Sequence, residues 1–279
     1  MSKIDIHVHV TPPEIINNLE KYTAREPYLA LISSSPKNKF AAAEEVVLEL
    51  ESAGFDRAVV FGFSFKDGGL CRFVNDYVIE KVKEFPQKLT GFIAMPPGVK
   101  EAEKEIARCY DAGLRGIGEL FPTGQGIKIE DKKETSAWTA AALERNIPVL
   151  VHANEPVGHY YPGKTNTTLR QLEQFVENNP TLKIILAHWG GGIFLFEMMK
   201  ELKEKFANVY YDCAASPLLY ESRVYKTACL LGLQQKILFG SDYPLLPIAR
   251  YLSEIDKSGI SEEEKKLLLG SNAAQLLNV

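Results

Sequence analysis

Eight short apolar runs recur along this chain, at residues 4–10, 57–63, 89–95, 114–120, 148–154, 183–189, 209–215 and 236–241. Stretches of helical character separate them, closed by ordinary stop signals. Residues 41–53 end at Gly54, 70–85 at Pro86 and 100–111 near Gly113, while Ser261 and Glu264 make a capping box at the head of 262–277. Parallel strands need long crossovers, so this alternation predicts parallel pairing. Eight such units in 279 residues fit one α/β domain over 1–279, a (β/α)8 TIM barrel. An open doubly wound sheet would carry a glycine-rich phosphate loop after its first strand, and none is present here.

With 46% hydrophobic and 24% charged residues, the chain can bury a large core. A net charge of −4 without a basic cluster argues against a nucleic-acid partner. Mixed-sign runs such as Glu80-Lys81-Val82-Lys83-Glu84 read as solvated helix faces. The four cysteines form no C-x-x-C pair, so no disulfide is expected. The first run begins too early to leave room for a targeting segment, and no apolar run approaches the ~20 residues of a membrane helix. The expectation is a cytoplasmic protein with no membrane partner and a small-molecule substrate. A homo-oligomer is left open, because no interface is legible.

In the first run, Ile4-Asp5-Ile6-His7-Val8-His9, strand alternation puts Asp5, His7 and His9 on one face. Barrel enzymes carry their chemistry at the C-terminal ends of the strands. At those ends the chain has His7 and His9, Glu119, His152, His188 and Asp242. Four of its five histidines fall on this one rim, and the fifth, His159, follows in the next loop. Imidazoles and carboxylates converging this way predict a divalent metal site of one or two ions. Zinc heads the expectation, with Mn, Fe or Co as alternatives. No thiolate ligand is expected, and Cys213 reads as a small buried residue.

The His-x-His of the first run, the later His, His and Asp, and the segments ILFGSDYP (237–244) and GSNAAQLL (270–277) together resemble the amidohydrolase superfamily. The likeness is to its amidohydrolase-related branch, similar to aminocarboxymuconate-semialdehyde decarboxylase and the 2-pyrone-4,6-dicarboxylate lactonases. The resemblance implies that His7, His9, His152 and Asp242 hold a buried metal, and that His188 polarises the substrate or moves a proton. Glu119 departs from the single-metal pattern. It could bridge two ions, with His7, His9 and Asp242 on one side and His152 and His188 on the other. It could instead stand behind a ligand histidine and orient it.

The function this implies is a metal-dependent hydrolase acting with metal-activated water on a small amide, lactone or ester. Asp242 would carry the water's proton and His188 would stabilise the oxyanion. The alternative is a metal-dependent decarboxylase, a lyase acting on a small carboxylate. For substrate binding the sequence offers His159 and Tyr160 in the loop 155–164, and Arg250 or Arg223 as partner for a carboxylate. The long connection 11–40 reads either as a lid or as a surface excursion. Phe61, Phe63 and Phe65 read as barrel packing, and Asn272 as a capping or fold-locking residue.

Overall fold

A computed structural model describes residues 2–35, 38–96 and 99–279. Eight strands follow one another: β1 (Ile4–His9), β2 (Arg57–Phe61), β3 (Leu89–Gly91), β4 (Ile117–Leu120), β5 (Val149–Val151), β6 (Ile184–Leu186), β7 (Val209–Asp212) and β8 (Ile237–Leu238). Every neighbouring pair is parallel, in a continuous β1-β2-β3 ladder and a continuous β4-to-β8 ladder. Two seams close the ring. Ile93 bridges Ile117, and Val8 bridges Tyr243. At the second seam Ile6 N donates to Phe239 O, and His9 N to Tyr243 O, both at 2.8 Å. The result is the expected (β/α)8 barrel.

Apolar side chains explain why the ring holds. One buried cluster, including Ile4, Ile6, Val59, Phe61, Phe92, Leu150, Ile185 and Leu238, fills the barrel. Ala273 and Leu276 of the last helix complete it. A larger cluster lies between strands and helices, with Val60, Trp138, Phe175, Val151 and Tyr251 among its members. Side chains therefore fill the interior as packed layers rather than leaving a pore.

Several strands are shorter than their apolar runs, because the chain leaves the ladder as it turns into the rim. The last helix is not continuous. It divides into Glu262–Lys266, an irregular turn Leu267–Ser271, and Asn272–Leu277. Asn272 Nδ2 donates to Gln234 O at 2.8 Å and Ile237 O at 2.7 Å, tying this last segment to the start of β8. The segment after β6 is likewise divided, into a 3-10 turn Ile193–Met198 and a helix Lys200–Lys205.

Of the 11–40 connection, residues 36 and 37 lie outside the described residues. The described part holds three short helices, α1 (Pro13–Asn17), α2 (Leu19–Thr23) and α3 (Pro27–Ser33). Tyr28 of α3 donates its hydroxyl to Pro162 O at 3.1 Å and packs on Phe121 with ring centroids 4.0 Å apart. Among the described residues, the cysteines are free, and no helix is long and apolar enough to cross a membrane.

Candidate active site

β1 delivers His7 and His9 to the C-terminal rim through its two-residue alternation. His7 is fully buried, and its Nδ1–H donates to Asp212 Oδ2 at 2.8 Å. That bond turns the Nε2 lone pair into the site. His7 Nε2 then lies 3.4 Å from His9 Nε2, 3.7 Å from Glu119 Oε2 and 3.7 Å from Asp242 Oδ1. His9 Nε2 is 3.5 Å from Glu119 Oε2 and 3.3 Å from Asp242 Oδ1. Donor atoms bound at about 2.1 Å to one tetrahedral ion would sit about 3.4 Å apart, close to the separations among His7, His9 and Glu119. The donor set is two imidazoles and two carboxylates, the chemistry a divalent ion takes. These residues therefore fit a metal.

Glu119 ends β4, and Gly118 is what puts it there. Gly118 has φ +127°, and a Cβ at this position would come within 2.4 Å of Leu150 O. The Glu119 carboxylate faces two ways. Oε2 looks toward His7 and His9, while Oε1 lies 2.9 Å from His152 Nδ1 and 3.6 Å from His188 Nε2. His152 is oriented by donating Nε2–H to Gly163 O at 2.8 Å. His188 donates Nδ1–H to Ala214 O at 3.1 Å. Its backbone stands in the left-handed region, at φ +55°, as do Trp189, Ala215 and Asp242. These non-glycine residues are held in strained backbone at the rim, as functional sites often are. The glycine run after His188 is required by packing: a Cβ on Gly191, φ +62°, would meet Asn154 O at 2.3 Å.

Electrostatics follow from burying these groups together. Burial alone would lower the His7 value, but Asp212, Glu119 and Asp242 outweigh it and raise it to about 10. His188 rises to about 9, where Glu119 and Asp242 again outweigh burial. Burial pushes Glu119 and Asp242 up, yet the surrounding histidines hold both below the ordinary carboxylate range. Asp5 lies beneath the site. Its Oδ1 accepts from His7 N and Ser241 N, at 3.2 and 3.0 Å, and burial pushes its carboxyl up to about 7.

The structure thus brings His7, His9, Glu119, His152, His188 and Asp242 together. The grouping differs from the single-metal pattern: His152 falls with Glu119 and His188, away from His7 and His9. The substrate residues need correction. His159 lines the cavity above the cluster, but Tyr160 does not. It is 67% exposed, and its neighbour Tyr161 lines the wall instead. Arg250 is exposed on the helix Ile248–Lys257, its guanidinium 3.5 Å from Pro217 O, and Arg223 pairs with Glu221 in solvent. Neither arginine reaches the cavity, because both stand on outward faces of their helices. Phe61 packs in the barrel as expected. Phe65 is buried in an apolar cluster with Ile15, Leu29 and Val74, and Phe63 packs against that cluster. Both also line the cavity, where Phe63 stacks on His9 with centroids 4.6 Å apart.

Asp212 escaped the sequence reading. It ends β7, and its Oδ1 accepts from His188 N at 2.9 Å while its Oδ2 holds His7. An acidic residue ending β7, a strand with no assigned site residue, was the available signal. Cys213 beside it is buried, and burial pushes its thiol up, as a structural cysteine requires.

A parallel eight-stranded barrel with this histidine and carboxylate cluster at its C-terminal rim defines a metal-dependent barrel enzyme as its class. The Amidohydrolase family model, Amidohydro_2, matches residues 4–279, and the chain belongs to that family. It is 24% identical over 341 aligned positions to the 2-amino-3-carboxymuconate-6-semialdehyde decarboxylase of Dictyostelium discoideum, covering 99% of this chain and 92% of that protein. Among solved structures it resembles the 5-carboxyvanillate decarboxylase of Sphingomonas paucimobilis, with TM-score 0.79 and 17% identity over 100% of this chain and 99% of that one. It also resembles the dihydroxybenzoic acid decarboxylase of Polaromonas sp. JS666, which was solved with manganese and the inhibitor 2-nitroresorcinol. There the TM-score is 0.75 and the identity 17%, over 99% and 97% of the two chains. These comparisons overturn the expectation of a hydrolase. The three similar proteins described above are each named as a decarboxylase. The motifs alone misled because the same barrel and ligand types serve both chemistries.

Proposed function

We propose that this enzyme is a metal-dependent decarboxylase, a lyase acting on a small aromatic or dienoic carboxylate. For metal chemistry the observation is the cluster of His7 Nε2, His9 Nε2 and Glu119 Oε2 at separations of 3.4–3.7 Å, with Asp242 Oδ1 3.3 Å from His9 Nε2, on the floor of a cavity of about 270 Å3. What favours decarboxylation over hydrolysis is the chain's likeness to decarboxylases over its whole length. The decarboxylase names of similar proteins support the same choice. A divalent ion held by groups of this cluster would act as a Lewis acid, gathering the substrate's oxygen atoms and easing negative charge on the adjoining carbon.

In the reaction the bond between that carbon and the carboxylate breaks. The electron pair stays on the carbon, CO2 leaves, and the carbon takes a proton. His188 is suited to give that proton, since its Nε2 faces the same space, 3.6 Å from Glu119 Oε1, while its Nδ1–H is held by Ala214 O. Asp242, with 14% of its side chain open, faces the same space beside His188. Aromatic and aliphatic walls exclude water, which favours loss of a charged carboxylate as neutral CO2.

Zinc suits the donors, with manganese the other candidate. A second reading concerns the number of ions, and the two-way facing of Glu119 favours it. A second ion could sit among Glu119, His152 and His188. Metal titration of stripped protein decides this: one equivalent supports a single centre, and two equivalents, falling to one in Glu119→Gln, support a bridged pair. For the function itself, metal-loaded protein is incubated with a panel of hydroxybenzoates and dienoic carboxylates, and CO2 release is measured. Metal-dependent release supports the proposal; metal-loaded protein inert toward every carboxylate overturns it.

A further inference from the structure

We infer that the substrate carries an uncharged apolar substituent of several carbons, seated against α3 and the segments after β7 and β8. This deepens the decarboxylase reading and rests on it. The cavity is divided by chemistry. Its floor is the polar cluster already described. Much of its upper wall is carbon, from Leu29 and Ile32 of α3, Leu218 and Leu219 after β7, and Leu245 after β8, with Ser35, Asn38 and Lys39 at one edge. A cavity of about 150 Å3 already holds a benzene ring. The 270 Å3 here therefore leaves roughly 120 Å3 beyond a bare ring for polar groups and a side chain.

Charge points the same way. Among the described residues lining the cavity, Lys39 is the one lysine or arginine, and it is exposed. Glu26, buried in the wall, has its oxygens taken up by Lys66 N and Asp67 N, from which they accept at 3.1 and 2.8 Å, and offers no positive partner. A second carboxylate seated against these leucines, away from Lys39 at the edge, would enter carbon without a partner, and a buried unpaired charge is costly. An alkyl or alkenyl group there would be buried favourably.

The test separates binding from turnover. Alkyl-substituted 2-nitrophenols, which have no carboxylate to lose, are titrated calorimetrically into metal-loaded protein, from unsubstituted to heptyl. Affinity is expected to rise about three- to fourfold per methylene until the cavity is full, then to level off. A chain of equal length ending in a carboxylate is expected to lose that gain. Leu218→Asp and Ile32→Asp, both at partly exposed positions, are each expected to flatten the dependence on chain length. A flat series in the native protein, an unchanged slope in both folded variants, or a gain from the terminal carboxylate overturns the inference. Chain-length-dependent binding without CO2 release from any carboxylate would sink the decarboxylase reading and leave the apolar subsite standing. CO2 release with a flat series would do the reverse.

Discussion

Asp212 shows how much of this site depends on a residue that touches none of its space. One carboxylate holds His7 through Nδ1 and His188 through its backbone N–H. Partners of this kind fix the tautomer and aim of a ligand histidine, and losing one typically costs about 10- to 100-fold in metal affinity. Asp212→Asn should weaken metal binding by that factor, read by competition with a chelator, while the metal-loaded fold persists by circular dichroism. Unchanged affinity would mean that packing alone aims His7. The raised values of His7 and His188, about 10 and 9, set a second expectation. A histidine whose folded value exceeds its unfolded one stabilises the fold fully below about 6.5 and loses that contribution as pH rises through the folded value. The metal-free protein should therefore lose stability between about pH 7 and 10, seen as a falling urea midpoint. Metal affinity should climb over the same range, because the ion displaces these protons. A metal-free midpoint that rises with pH would contradict the ion pairing described here.

At the scale of elements, β4 and α3 are the informative ones. Gly118→Ala puts a Cβ against Leu150 O in backbone that disfavours side chains, a strain on the order of 1–3 kcal/mol before the clash is counted. The expected outcome is a lower melting temperature together with loss of metal affinity, because Glu119 moves with its strand. A variant that melts early but binds metal normally would detach Glu119 from the site. Tyr28→Phe removes the bond from α3 to Pro162 O, worth about 0.5–1.5 kcal/mol. Hydrogen exchange should then quicken in α3 and the 155–164 loop but not in the strands. Equal exchange in both proteins would mean that the Phe121 stacking alone holds α3 over the cavity. The elements also show where periodicity reached its limit. Alternation makes Asp5, His7 and His9 readable, and it places Phe63 and Phe65 as packing residues without showing that they also face a cavity. A two-residue period cannot say which strand end opens into a cavity.

For the whole molecule, closure of the ring depends on contacts between distant parts of the chain. Asn272 ties the last helix to the carbonyls of Gln234 and Ile237, and Asn272→Ala leaves both buried acceptors short of a donor, at about 1–3 kcal/mol. Thermal unfolding should show this loss, and an unchanged midpoint would assign closure to the apolar packing of Ala273 and Leu276. The barrel itself was legible in the chain, because strand and helix periods are local and parallel order demands crossovers. So were the six polar residues of the rim, since ending an apolar run is also a local property. What they do with one another was not. Only the tertiary structure turned the Glu119 carboxylate toward two histidine pairs, brought Asp212 behind His7, kept Arg250 and Tyr160 out of the cavity, and lined that cavity with carbon from α3. Those outcomes depend on side-chain directions and on contacts between residues as far apart as His7 and Asp212, which no local period encodes.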